Sequence, residues 1–463
     1  MASIISRLIH EFPDDMWILI YEFIPNNVIR LLNKKIKNLV KFRSVRKIIN
    51  PNNIDDDLLK ERSTFIYNML IRCERLGNKC FSIDMDFRNL KSLTIEGSDL
   101  VEITYQFLDL INTKTTDEVE YNNKITKLTE IRLDISDPKF CGDRLKKSLK
   151  KLSEIKSLER VSLKLRRRNI DEQMFKYVME SLQNDSINTI QFDLVASKFA
   201  KGALQHLIML TRIKNLSTLL IDTTGAKIPT GDILYFSQLS LCKNLMILRI
   251  AIWGTDQNNS AVIALGNIGN MEEQYANKMK NLSIDVGGNA ITDAGIEPFR
   301  KYAIFKNVQK ITIGLQGLPI TQNGIRHLLY VKDFEYLERL TWYLGYCQLE
   351  DDGMEIISGI YNDTKKHTLS SICFDIRGNG ITDKGMIHLK KLSYINSLRS
   401  MALHCTGNSI RDGGAIEFVD AVKMNLNAPK TSLDLRQNPI ENCRLVRDKT
   451  IGFPNITVQV DAR

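Results

Sequence analysis

An α/β solenoid, with parallel strands along one wall and helices along the other, is the fold this sequence predicts. Three observations carry that expectation. One short pattern recurs, as NLSIDVGGNAITDAGIEPF (281–299), SSICFDIRGNGITDKGMIHL (370–389) and SMALHCTGNSIRDGGAIEF (400–418). Its apolar residue after the turn falls at Ile291, Ile320, Leu349, Ile381, Ile410 and Ile440, in steps of 29, 29, 32, 29 and 30 residues. A glycine keeps the same beat at Gly295, Gly324, Gly353, Gly385 and Gly414. Repeats of this length stack, because one copy cannot bury its apolar face alone and a row of copies can.

Each part of a copy has a physical reading. Leu282, Ile284 and Val286 alternate with Ser283, Asp285 and Gly287, the period of a strand with one buried face. Asn289 is placed to satisfy backbone groups at the bend, and Cys347 takes that position in its own copy. Ile291 plugs the core after the bend. Gly295 is expected to let the chain turn closely into a helix, whose inward side carries Ile296 and Phe299 at i, i+3. This L-x-x-L-x-L…N-x-I arrangement is that of a leucine-rich repeat. It resembles the ribonuclease-inhibitor-like class, which implies a curved horseshoe with strands inside and helices outside.

Taken in order, the chain opens with a segment unlike the rest. In Phe12-Pro13-Asp14-Asp15 the proline fits a first helical turn and the carboxylates favour its positive end. Met16, Ile18, Leu19, Ile20, Phe23 and Ile24 follow as apolar positions, and Pro25 with Asn26-Asn27 ends the helix. A second helix is expected over 28–40, with Leu31, Leu32, Ile36 and Leu39 set against Lys34, Lys35 and Lys37. FPDDMWILIYEFIP and LLNKKIKNLV resemble the two halves of an F-box, the small helical module that docks cullin–RING ubiquitin ligases through their adaptor subunit. Ile36 stands where that module customarily has an aromatic. The resemblance covers 8–42 and implies an adaptor and a cullin as partners. It makes Phe12, Pro13, Met16, Ile18, Leu19, Phe23, Leu31, Leu32 and Ile36 the adaptor contacts. Without it, the same helices read as a cap on the open end of the stack.

Residues 43–127 read as an irregular capping region. Helical spacing runs over 58–73, and Leu90, Leu93 and Ile95 look like the first, degraded repeat strand. A polar run at 112–123 reads as a surface loop. From 128 to 445 the beat is regular: the leading apolar residues Leu128, Leu158, Ile187, Leu216 and Leu245 step by 30, 29, 29 and 29. The asparagine is lost there, while the plugs Ile170, Phe199 and Ile228 keep time. A 34-residue step from Leu245 to Met279 precedes the clean copies. Ile456, Val458 and Val460 close the array as a cap strand within 446–463.

The composition fits a protein of this kind. Hydrophobic content of 43% and charged content of 25% are ordinary for a globular chain, and no apolar run is long enough to span a membrane. Eight scattered cysteines without a C-x-x-C pair suit a reducing compartment. The expected location is therefore cytoplasmic or nuclear, or the host cytoplasm if the chain is viral. Positive charge gathers in Arg30–Lys47, with eight Lys/Arg, and in Arg144–Arg168, with eleven. Without interleaved aromatics these patches do not favour nucleic acid.

The residues between the buried leucines are expected on the inner wall, in columns. One column reads Asp134, Lys164, Asp193, Asp222, Ala251, Asp285, Gly314, Tyr343, Asp375, His404 and Asp434. The next includes Arg166, Trp253, Gly287, Gly345, Arg377, Thr406 and Arg436. Six aspartates in a column either pair with neighbouring cations, for which Arg377 and Arg436 are placed, or await a basic partner. Trp253 and Tyr343 are the expected aromatic anchors. The candidate target-binding set is Asp193, Asp222, Trp253, Asp285, Tyr343, Asp375, Arg377, His404 and Arg436. No metal-spaced cluster, nucleophile motif or phosphate loop occurs, so neither enzyme chemistry, nor a metal, nor a cofactor is expected. The expected function is that of a substrate-recognition subunit of a cullin–RING ligase, with a target protein on the repeats. The alternatives are a leucine-rich scaffold without a ligase role and, behind it, a GTPase-activating protein of this repeat class.

Overall fold

The structure is a computed structural model. It describes residues 127–461 except 363–367 and 426, together with 46–49, 68–72, 91–96 and positions 101, 104, 105 and 108. The module expected at 8–42, with every adaptor contact named above, lies outside the described residues. The chain divides into two compact units, Met1–Lys164 and Leu165–Arg463.

In the first unit, strands β1 (Arg46–Ile49), β2 (Asn68–Arg72), β3 (Ser92–Glu96), β4 (Glu130–Asp134) and β5 (Arg160–Lys164) pair in sequence order, all parallel. Leu93, Ile95, Ile131, Leu133, Val161 and Leu163 are fully buried. Two strands thus precede the one expected at Leu93. The helical spacing read through 58–73 is corrected at 68–72. Met69-Leu70-Ile71 is an apolar run too short for periodicity to decide, and its ladders with β1 and β3 make it a strand.

The second unit repeats one phase. Its strands are β7 (Thr189–Asp193), β9 (Thr218–Asp222), β10 (Ile247–Ala251), β11 (Asn281–Asp285), β12 (Lys310–Gly314), β13 (Arg339–Tyr343), β14 (Ser371–Asp375), β15 (Ser400–His404), β16 (Lys430–Asp434) and β17 (Ile456–Gln459). Each is parallel to the next. A small second ladder joins β6 (Asn169–Ile170) to β8 (Lys198–Phe199). The plugs Ile291, Ile320, Leu349, Ile381 and Ile410 are buried to 0% exposure, so the plug register holds. The return segments are often 3-10 helix rather than α-helix, including the ten-residue runs Ala203–Arg212 and Asp232–Leu241. A 3-10 helix rises about 2.0 Å per residue against about 1.5 Å for an α-helix, so these segments cover more of the sheet with the same residues. The 34-residue step is absorbed by the helix Asn259–Gly266, a 3-10 turn at Asn267–Asn270 and the further turn Glu273–Ala276.

Neighbouring repeats are stitched in three ways. Asn289 Nδ2 donates to the carbonyls of Ile252, Val286 and Gly287, and its Oδ1 accepts from the backbone N–H of Thr255 and Gln257. Asn379, Asn408 and Asn438 do the same for their repeats. Where the asparagine is missing, the backbone takes over. Lys198 N–H bonds Arg168 O, Ala200 N–H bonds Ile170 O and Lys227 N–H bonds Ser197 O, which is why the extra β6–β8 ladder appears in these repeats. Buried backbone groups need partners from one source or another.

The third stitch explains three glycines of the beat, Gly324, Gly385 and Gly414. Asp293 accepts from Thr321 N–H at 2.8 Å and from Thr321 Oγ1 at 2.5 Å; Asp351 accepts from Thr382 N–H at 2.8 Å and Oγ1 at 2.6 Å. Asp383 accepts from Arg411 N–H at 2.7 Å. In each case the aspartate lies over the glycine of the following helix. A Cβ on Gly324, Gly385 or Gly414 would sit 2.5 Å from Oδ1 of Asp293, Asp351 or Asp383 respectively. The glycine was expected to ease the turn. None of these glycines has a positive φ; they make room for a neighbour's carboxylate.

Candidate functional site: the open face of the sheet

The side chains between the buried positions point away from the return segments onto an open face. In the second unit the register aligns Asp193, Asp222, Ala251, Asp285, Gly314, Tyr343, Asp375, His404 and Asp434 in one row across β7 to β16. This is the column read from the sequence, and its aspartates are of two kinds.

Three carry an arginine of the chain. Arg166 Nε lies 2.7 Å from both oxygens of Asp193, with Nη2 at 2.7 Å from Oδ2. Arg377 forks onto Asp375, with Nε at 2.8 Å from Oδ1 and Nη2 at 2.7 Å from Oδ2. Arg436 forks onto Asp434, with Nε at 2.9 Å and Nη2 at 2.6 Å. Paired, charge-assisted bonds of this kind are strong and directional. The Arg436 guanidinium holds the Asp434 carboxyl below its ordinary range, and the Asp375 carboxylate holds the Arg377 guanidinium more firmly charged. Asp222 and Asp285 differ. Each takes a backbone N–H of its own turn, from Thr224 at 3.0 Å and Gly287 at 3.1 Å. Burial pushes the Asp285 carboxyl up, while the Gly287 N–H and Arg249 oppose that and Asp222 adds to it.

Two exposed rings bracket Asp285 along the sheet. Trp253, 43% exposed, lies over the backbone of Gly287 and Gly288, where a Cβ on Gly287 would be 2.7 Å from the ring. Tyr343, 39% exposed, stands on β13. Beyond it, Tyr346, Arg377, His404, Thr406, Asp434, Arg436, Gln437 and Asp461 line a cleft of about 420 Å³. His404 sits half-buried in register between Asp375 and Asp434.

One contact, made by an inner-wall glutamine, and one residue were not read from the sequence. Gln316 Nε2 donates to Asp375 Oδ2 at 2.8 Å from two strands away. Tyr346 stands 65% exposed with φ +58°. Its signal was available: the corresponding turn positions are Gly288, Gly317, Gly378 and Gly407, all at positive φ. A tyrosine there accepts a backbone cost of about 1–2 kcal/mol, and its ring occupies the space over Gly378.

The buried thiols of Cys242 and Cys347 are pushed up to about 12 by burial, so they are protonated at neutral pH and poor nucleophiles. Among the described residues no group of His, Cys, Asp and Glu is arranged to hold a metal, and no helix is long and apolar enough to cross a membrane.

The Leucine Rich repeat family model matches residues 282–299 and 373–390, the two stretches where Asn289 and Asn379 sit beside intact plugs. The chain is an α/β leucine-rich-repeat solenoid. Among solved structures, it is similar to an internalin from Listeria monocytogenes, at 13% identity and a TM-score of 0.37, covering 69% of this chain and 89% of that one. It is similar also to a leucine-rich-repeat protein of Leptospira interrogans, at 13% identity and a TM-score of 0.40, covering 90% and 100% of the two chains. No curated protein matches the sequence at a significant level.

Proposed function

We propose that the protein is a non-enzymatic substrate receptor of a cullin–RING ubiquitin ligase. In this reading residues 8–42 dock the ligase adaptor and the open face of the repeats holds a target protein. The observation that carries the recognition half is the face itself. It presents arginines pre-positioned by their own aspartates beside exposed rings, Trp253, Tyr343 and Tyr346, and aromatic and arginine side chains dominate interface energetics. The ligase half rests on Phe12-Pro13-Asp14-Asp15 and the apolar positions Met16, Ile18, Leu19 and Phe23 that follow, placed ahead of a repeat array. Such a receptor acts by raising the target's effective concentration near the transfer machinery, and supplies no reacting group itself. The scattered cysteines suit a reducing compartment such as the cytoplasm or nucleus, where this reading sets the work.

The test is co-purification. The wild-type chain should bring down the small adaptor and the cullin, and the double variant Pro13→Ala, Leu19→Lys should lose both while its repeats stay folded. Adaptor recovered undiminished with the variant, or absent from the wild type, removes the ligase role and leaves a recognition scaffold.

A further inference from the structure

The open face of the second unit has a self-neutralised part and a part that is not. On β7, β14 and β16 each aspartate of the row is forked by an arginine of the chain. Between them, among the described residues, Asp222 on β9 and Asp285 on β11 form no ion pair within 4.0 Å. They lie two strands apart across Ala251, about 10 Å at the usual strand spacing, too far to share one small ion. Arg249 on β10 acts on Asp285 through space without contact. The side chains flanking Asp285 in its row are the smallest possible, Ala251 on one side and Gly314 on the other. The Asp285 carboxylate leans over Gly314, where a Cβ would lie 2.5 Å from its Oδ1. The result is a shallow lane with a carboxylate in its floor. Trp253 rises at one end and Tyr343, three strands on, at the other.

We infer that this lane docks a segment of a protein partner that presents a lysine or arginine side chain to Asp285, its stem lying against Trp253 or Tyr343. The inference rests on the recognition reading above and adds the chemistry of what is recognised. Two observations choose the occupant. The lane holds two carboxylates and one arginine, so its charge favours a cation and repels a phosphate backbone. The exposed rings offer the faces on which alkyl stems and cationic heads settle. A basic side chain arriving at Asp285 also supplies the counter-charge that Asp193, Asp375 and Asp434 already own.

The experiment pans a random-peptide phage library against the full chain, then measures selected synthetic peptides by fluorescence anisotropy. The expected result is enrichment of peptides with a lysine or arginine whose replacement by norleucine weakens binding tenfold or more. Asp285→Asn should cost the same peptides at least tenfold, and Asp222→Asn less. Lys391→Gln, exposed on the return segment Lys390–Tyr394 away from the face, should leave them unchanged. Peptides that bind but carry no required basic residue, or that ignore Asp285→Asn while losing affinity with Arg436→Gln at the far end of the face, overturn the lane and leave the face as a recognition surface. Failure of every peptide to bind counts against both.

Discussion

Gln316 reaches Asp375 across an intervening strand. Its Nε2 lies 2.8 Å from Asp375 Oδ2, although β13 runs between them. The residue in the way would be the one beside Gln316 on β13's side, and that residue is Gly345. A Cβ there would stand 2.9 Å from Arg377 Cγ and 3.3 Å from Asp375 Oδ1. The missing side chain lets Arg377, Asp375 and Gln316 close over the strand. Asp375 is 2% exposed, so its charge is matched by Arg377 and its lone pairs are filled from two repeats. A buried carboxylate is tolerated only on such terms, and the outcome is an arginine held at a fixed place on an open face.

The first prediction concerns the stitch between helices. Asp351→Ala removes two bonds to Thr382 and should destabilise the array by about 2 kcal/mol. Gly385→Ala forces a Cβ against Asp351 Oδ1 and Ile381 Cγ2, both at 2.5 Å, and should cost about 2 kcal/mol or more. Because both act through the same carboxylate, the double variant should cost less than the sum of the two. Urea unfolding followed by hydrogen exchange over 381–389 reads the cycle. Strict additivity would show that the carboxylate and the glycine are independent.

Much of this architecture was legible because a strand's period is two and the repeats share one register. Leu282, Ile284 and Val286 fix the buried phase, and the row from Asp193 to Asp434 follows once every strand pairs in step. What escaped the sequence depends on how long side chains fold. Arg377 and Arg436 turn back onto the aspartate two residues before them, whereas Arg166, in the corresponding column, reaches forward to Asp193 on the next strand of its unit. No spacing rule separates those choices. The glycines at 324, 385 and 414 were visible as a beat, but their reason lies in a neighbour's aspartate, which no single copy contains. Asn68–Arg72 failed for a different cause: a short apolar run has no period to read.

The second prediction is a pair of opposite pH slopes. Asp434 is held below its ordinary 3.8, chiefly by Arg436. Its stabilising effect is complete above that ordinary value and is lost as pH falls through the lowered one. Asp285 is pushed above its ordinary 3.8, chiefly by burial. Protonated in acid it costs nothing, and the penalty of its charge grows as pH rises through the ordinary value towards the raised one. Asp434→Asn should therefore lower the urea midpoint at pH 7, and Asp285→Asn should raise it. Both differences from wild type should shrink on going to about pH 3. A wild-type residue at 285 that weakens the fold and binds a cationic partner is the stability–function trade expected of a recognition site. If Asp285→Asn lowers the midpoint at pH 7, the carboxylate has a counter-ion within the chain and the lane has no charge to offer.

The last prediction separates packing from recognition at the two rings. The sequence alone gives Trp253 no packing role, but its ring lies along Gly287 and Gly288, within 3.0 Å of where a Cβ on Gly288 would stand. Trp253→Ala uncovers that strip and should cost about 1 kcal/mol, at the upper edge of surface substitutions. Tyr343→Ala should cost less than about 1 kcal/mol. Binding should respond differently. If both rings are anchors, each truncation should weaken the peptide selected on this face by about 2 kcal/mol, and Trp253→Phe should recover much of the loss at its site. Suppose instead that the double variant unfolds at far lower urea yet holds the peptide with wild-type affinity. The rings would then serve only to cover the glycine backbone, and the partner would have to settle elsewhere on the face, with the cleft beside Tyr346 and His404 the next place to look.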